Sequence, residues 1–283
     1  EQARGLVWNA DPGPGWMSPS LPPHLVYVSD ENQQAVWIFP QFGVNQAPIG
    51  EITSGVAAPN GLFVDANGKL YVCNFGGGTV TEYRRGATTP DRTLKNAGSA
   101  IDVVVGLDGW VYVSDWDSGT NGRLLEYAPK QTNPAHIIAV NGAPEGLALD
   151  QSNNLYMSYN DATNGDGEVL KFAPGSLVGT NLGIHIGYSG GATLDSSQNL
   201  VLVDQNVPGV DIFPPGATKP SRQIKGFALA FDIALTAGDD RLWVTDPLTP
   251  VVETRYPNGR QINSLTHSLG SAYGVATDPH GSY

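Results

Sequence analysis

Leu25-Val26-Tyr27-Val28-Ser29-Asp30 decides the fold, because the chain writes that phrase six times. The other copies are Leu70-Tyr71-Val72-Cys73-Asn74, Val111-Tyr112-Val113-Ser114-Asp115, Leu155-Tyr156-Met157-Ser158-Tyr159, Leu200-Val201-Leu202-Val203-Asp204 and Leu242-Trp243-Val244-Thr245-Asp246. Measured from Tyr27 through Tyr71, Tyr112, Tyr156, Val201 and Trp243, the steps are 44, 41, 44, 45 and 42 residues. A period in the forties with several short strands per unit is the signature of propeller blades. Six such units nearly fill the 283 residues. We therefore expect one all-β domain, a six-bladed β-propeller of four-stranded antiparallel blades over residues 21–283. Residues 1–20, with Trp8 and Pro12-Gly13-Pro14-Gly15-Trp16, form an arm outside the repeat.

The second unit shows how a blade is spelled. Pro59-Asn60-Gly61-Leu62-Phe63-Val64-Asp65 reads as an innermost strand and Ala66-Asn67-Gly68-Lys69 as a tight hairpin turn. Leu70–Asn74, Thr79–Tyr83 and Arg92–Leu94 follow as the second, third and outermost strands. The first unit has no innermost strand of its own. The chain's end supplies one in Tyr273-Gly274-Val275-Ala276-Thr277-Asp278, so the C-terminal segment is expected to pair beside Leu25–Asp30 and close the ring. Closure removes a sheet edge that would otherwise recruit other chains.

Composition narrows the partners. The chain carries 15 Lys+Arg against 27 Asp+Glu, a net charge of −12. Such a surface repels nucleic acid and anionic membrane and attracts cations. No apolar run approaches the ~18 residues of a membrane helix, so no membrane insertion is expected. One cysteine, Cys73, excludes an internal disulfide and reads as a buried small hydrophobe. The low Lys+Arg count and the Gly-, Pro-, Asn- and Thr-rich surface point outside the cytoplasm, to an extracellular or periplasmic protein. No signal peptide is visible at Glu1-Gln2-Ala3-Arg4, so any export signal is expected to have been removed or never to have existed.

Pro59-Asn60-Gly61-Leu62-Phe63-Val64-Asp65 with Gly68-Lys69-Leu70-Tyr71-Val72, and Pro144-Glu145-Gly146-Leu147-Ala148-Leu149-Asp150 with Asn154-Leu155-Tyr156, resemble NHL repeats. They also resemble the related gluconolactonase (senescence-marker-protein) propellers. The resemblance covers residues 21–283. It implies a six-bladed propeller whose relatives include lyases, calcium-dependent lactonases and phosphotriesterases, sensor domains and protein-binding modules.

Counting eleven residues back from each repeat marker gives Asn60, Ile101, Glu145, Gly190 and Asp232, and the closing strand contributes Tyr273. This series is expected at the mouth of the central channel, where innermost strands begin. Asn60, Glu145 and Asp232 carry oxygens of the kind that bind Ca2+ or another divalent cation. In the metal-dependent propellers that the chain resembles, a Glu, an Asp and one or two Asn at such positions hold the ion, which polarises a lactone carbonyl or a phosphoryl oxygen. Here Asn60 precedes Glu145, and a fourth side-chain ligand is missing. Asp102 sits one residue along, on the other face of its strand. No organic cofactor is expected.

A second series, Asp30, Asn74, Asp115, Tyr159, Asp204 and Asp246, ends the second strands. Its recurrence in every blade points to turn-capping. The loops Trp116-Asp117-Ser118-Gly119-Thr120-Asn121-Gly122 and Asn160-Asp161-Ala162-Thr163-Asn164-Gly165-Asp166-Gly167-Glu168 are long, acidic and on the same face as the ring. Phe75, Trp116, Tyr159 and Tyr273 are expected to line one rim of a ligand cleft there. The opposite face carries short uniform turns with little room for specificity. Of His136, His185 and His267, the last two are the general-base candidates. The leading reading is a secreted NHL-type module that binds a small molecule, glycan or protein through an acidic, aromatic face. The alternatives are a metal-dependent hydrolase of the lactonase or phosphotriesterase kind and a structural part of an extracellular assembly.

Overall fold

The structure, a computed structural model, describes residues 15–117, 121–249 and 251–279. Trp8, Pro12-Gly13-Pro14, Ser118-Gly119-Thr120 and His280-Gly281 lie outside the described residues.

Blade one begins with β1 (Trp16–Met17), β2 (Leu25–Asp30), β3 (Ala35–Pro40) and β4 (Gly50–Ile52). Blade two is β5 (Pro59–Val64), β6 (Leu70–Asn74), β7 (Thr79–Tyr83) and β8 (Arg92–Leu94). Blade three is β9 (Ala100–Val105), β10 (Val111–Asp115), β11 (Gly122–Tyr127) and β12 (His136–Val140). Blade four is β13 (Gly142–Leu149), β14 (Leu155–Asp161), β15 (Gly167–Phe172) and β16 (Thr180–Ile186). Blade five is β17 (Ser189–Leu194), β18 (Leu200–Asp204), β19 (Gly209–Phe213) and β20 (Arg222–Lys225). Blade six is β21 (Ile233–Leu235), β22 (Arg241–Val244), β23 (Val251–Arg255) and β24 (Gln261–Leu265). The last strand, β25 (Ala272–Asp278), returns to blade one, whose order is β1-β4-β3-β2-β25.

Closure pairs Leu25 with Asp278, Val26 with Thr277 and Val28 with Val275. Arg85 of blade two adds a latch across the seam: its Nε donates to Asp278 and an Nη donates to the Pro22 carbonyl. The innermost strands then touch in a ring, β25 to β5, β9, β13, β17, β21 and back to β25. Trp16 and Met17 pair with Glu51 and Gly50, adding a fifth strand to blade one, and Met17 packs on the core.

Burial explains the wording of the phrase. The second strands β2, β6, β10 and β18 are buried at every residue, because neighbouring blades cover both faces. Such strands read as near-continuous apolar runs, here ended by buried polar residues such as Ser29-Asp30 and Ser114-Asp115. The outermost β12 alternates between more and less exposed residues, as a half-solvated strand does.

Candidate functional site at the channel mouth

Each innermost strand of blades one to five breaks register where it starts. In β5 the pairing steps from Pro59–Asn74 to Leu62–Val72, and β9, β13, β17 and β25 bulge at the corresponding place. A bulge frees a backbone N–H and a C=O, and side-chain hydroxyls of the second strands take them up. Ser29 Oγ accepts from Gly274 N–H at 2.6 Å and donates to the Asn60 carbonyl of blade two at 2.7 Å. Ser114 joins Asp102 N–H to the Glu145 carbonyl, and Ser158 joins Gly146 N–H to the Gly190 carbonyl. Thr245 does the same in blade six, between Asp232 N–H and the Tyr273 carbonyl. Four hydroxyls thus staple neighbouring blades around the mouth. Cys73 and Val203 stand at the two remaining positions.

These contacts correct the register of blade six. Val103, Leu147 and Ile233 face Val113, Met157 and Val244 at equivalent points of the second strands. Asp232 is therefore the counterpart of Asp102, and Phe231 is the counterpart of Glu145 and Asn60. The hairpin between Leu235 and Leu242 is one residue longer than that between Val105 and Val111, which shifts a count taken backwards from Trp243. The position that holds these two aspartates is Gly61, Gly146, Gly191 and Gly274 in the other blades. The glycines are required: a Cβ on Gly191 would lie 2.2 Å from Asp232 Oδ1, and one on Gly61 would lie 2.6 Å from Asp102 Oδ1.

Asn60, Glu145 and Asp232 do come to one hollow, with Asp102 and Phe231. That hollow measures about 10 Å³, the space of a single water. Its carboxylates already have partners. Asp102 accepts from Val103 N–H at 2.8 Å and Leu147 N–H at 2.8 Å. Asp232 accepts from Val275 N–H at 3.0 Å. Glu145 Oε1 accepts from Asn160 Nδ2 at 3.2 Å. Burial raises the pKa of all three. The charge of Asp232 adds to the effect on Asp102, and Asp232 is pushed up to about 7. Calcium needs six to eight oxygens. Among the described residues no group of three or more His, Cys, Asp or Glu is arranged to hold a metal ion. The donor set does not fit that ion.

The aromatic candidates divide. Phe75 and Trp116 meet edge to face, with centroids 6.0 Å apart and an interplanar angle of 84°, and both are half-buried. Trp116 Nε1 donates to the Pro144 carbonyl at 2.9 Å, so this ledge runs from blade two over blade three to blade four. Tyr273 is half-buried and packs edge to face on Phe231 at 4.8 Å. Tyr159 does not line a rim: it is 5% exposed, and its hydroxyl donates to Glu168 Oε2 at 2.9 Å. Its slot takes an aspartate or asparagine in the other blades, but here the side chain folds into the blade. Val207 and Leu248, in the mouth-face loops of blades five and six, are 51% and 71% exposed.

Neither histidine candidate is among the residues that line the mouth hollow. His185 lies exposed on the outermost strand β16, with Nδ1 3.5 Å from Glu168, and His267 is exposed in the loop after the outermost strand β24. The recurring acids do cap turns. Asp204 accepts from Asn206 and Val207 N–H after its strand and from Gly187 N–H before the innermost one. Asp246 binds Leu248 N–H on one side and Ala228 and Leu229 N–H on the other. Two roomier hollows lie on the opposite face, about 410 Å³ between blades two and three and about 350 Å³ between blades four and five.

No protein-family model and no curated protein matches the chain. Solved structures do. A chain in the crystal structure of a nidogen/laminin complex superposes with a TM-score of 0.72 at 16% identity, over 90% of this chain and 98% of that one. The Kuenenia stuttgartiensis hydrazine synthase gives 0.64 at 13% identity, over 95% and 91%. A streptogramin B lyase structure gives 0.53 at 11% identity, over 87% and 74%. At such identities the likeness carries the six-bladed propeller and no activity.

Proposed function

We propose that this protein is a binding module of NHL type that works outside the cytoplasm and engages a protein or glycan across its channel-mouth face. One observation carries the reading: Phe75 and Trp116 form a half-exposed aromatic ledge held across three blades. A rigid aromatic with one face open supplies contact area at little entropic cost, and such residues dominate binding hot spots. Asp117 follows Trp116 in the same loop, and Asp161 and Asp166 lie in the corresponding loop of blade four. The mouth hollow is too small for an organic substrate, and neither histidine candidate lines it. These two facts weigh against the hydrolase.

The test is a screen of secreted-protein and glycan arrays with the wild-type chain, repeated with Trp116→Ala and Phe75→Ala. Ligands bound by the wild type should be lost or weakened at least about tenfold in both variants. Binding that ignores both substitutions, or calcium-dependent hydrolysis of a lactone or phosphotriester by the purified chain, contradicts the reading.

A further inference from the structure

The hollow between blades four and five stands apart from the mouth in position and chemistry. It opens on the face of the short hairpin turns and measures about 350 Å³. Leu182, Leu200, Phe213, Pro214 and Pro215 wall it, and Lys171 is the one cationic side chain among its lining residues. A hollow of this size, mostly apolar with a few fixed polar groups, has the make-up of a small-ligand site.

Its charge is an exception within the repeat. On the third strand, facing the repeat's aromatic marker, blades two, three and six carry Glu82, Glu126 and Glu253 opposite Tyr71, Tyr112 and Trp243. Each glutamate is buried and meets a cationic or titratable partner: Lys69 and Arg92, His136, and Arg241 respectively. Blade four reverses the sign and places Lys171 opposite Tyr156.

The reversed charge is incompletely answered. Lys171 Nζ donates to the Tyr156 hydroxyl at 2.7 Å and lies 4.7 Å from the centre of that ring. Its nearest carboxylate oxygen, Asp150 Oδ2, is 3.7 Å away, beyond a hydrogen bond. Asp150, which also lines the hollow, is engaged by its own turn: it accepts from Ser152 and Asn154 N–H on Oδ1, and on Oδ2 from Asn154 Nδ2 and, at 3.5 Å, from the Tyr156 hydroxyl. An ammonium has three N–H donors, and the Lys171 side chain is 34% exposed.

The cavity has a backbone origin. Between the pairs Glu168–His185 and Leu170–Asn181, β16 spends more residues than β15, with Gly183 at φ 69°. The bulge sets Leu182 and Ile184 against the hollow. The larger hollow between blades two and three differs, since both Lys69 and Arg92 in its lining are ion-paired to the buried Glu82.

We infer that the hollow between blades four and five binds a small organic carboxylate with a flat or branched apolar body. The carboxylate accepts from Lys171 Nζ. The body lies against Phe213, Pro214, Pro215 and Leu182. This site is independent of the mouth-face reading.

The probe is 2-naphthoate, titrated into the full chain by calorimetry, with 2-naphthamide as its uncharged counterpart. The wild type should bind the carboxylate saturably, with Kd on the order of 1 mM or tighter, and the amide at least about tenfold more weakly. Lys171→Met should bring the two probes to the same weak affinity. Ala217→Trp, which fills the hollow without touching the lysine, should abolish both. Lys130→Met, which removes a cation from the hollow between blades two and three, should change neither. No saturable binding, equal affinity for acid and amide in the wild type, or unchanged carboxylate binding in folded Lys171→Met overturns the assignment.

Discussion

Asp102 and Asp232 face each other from opposite blades of the ring, and each ties three blades together. Asp102 lies over Gly61 of blade two and accepts from Leu147 N–H of blade four; Asp232 lies over Gly191 of blade five and accepts from Val275 N–H of blade one. One carboxylate thus joins blades two, three and four, and the other joins five, six and one.

Stability should therefore fall as pH rises. Both groups have folded pKa values above the usual carboxylate range, Asp232 at about 7 against an ordinary 3.8. A group shifted this way contributes stability that is complete below its unfolded pKa and lost as pH passes the folded one. The melting temperature should drop between about pH 4 and pH 8, and Asp232→Asn should flatten the slope. Overall repulsion among acids acts in the same direction, so the difference between wild type and variant is the quantity to read. An unchanged slope in a folded variant counts against this role.

The hydroxyl staples should be worth more than surface serines. Ser158→Ala strands the Gly146 N–H and removes a partner from the Gly190 carbonyl, both buried. Such a loss costs about 1–3 kcal/mol. Urea unfolding of Ser158→Ala beside Ser176→Ala, an exposed turn serine, measures the contrast, and equal midpoints would show that the staple is idle.

Closure by β25 should be indispensable. A chain ending at Ser271 loses the innermost strand of blade one and the latch to Arg85. It should melt at least about 10 °C lower or lose cooperativity. A melting point within about 3 °C of the full chain would mean that the ring does not depend on this strand.

Trp116 should separate binding from folding. Trp116→Ala removes the hydrogen bond to Pro144 and the contact with Phe75. It should cost roughly 1–2 kcal/mol of stability but at least about 2 kcal/mol of binding to a mouth-face partner. Trp116→Phe keeps a ring without the indole donor and should retain more of the binding than the alanine variant.

The fold was legible because one strand in every blade is buried on both sides. That burial compels the same apolar phrase each time, and the orphan Tyr273–Asp278 phrase marks the seam. The site was legible only in part. Asn60 and Glu145 were placed correctly at the mouth, but a single extra residue between Leu235 and Leu242 moved Asp232 out of their series. A count along the chain cannot see an insertion in a turn. Phe231 was missed for the same reason, whereas Asp102, expected on the other face of its strand, lines the hollow beside the bulge that starts β9. Ser29, Ser114, Ser158 and Thr245 were in plain view in the repeated phrase. Their role needs two neighbouring backbones, which no spacing within one blade reveals. Tyr159 had the right position and the wrong direction, since Glu168 draws its hydroxyl inward.

If the mouth's acids hold blades together and the aromatics of that face do the binding, calcium should not stabilise the protein. The most direct test is the melting temperature of the wild type and Glu145→Gln in excess calcium and in excess chelator. Wild-type melting should be the same in both, because Asp102, Asp232 and Glu145 are committed to N–H donors within the protein. A saturable rise in calcium of several degrees that disappears in Glu145→Gln would contradict it and make the mouth a metal centre.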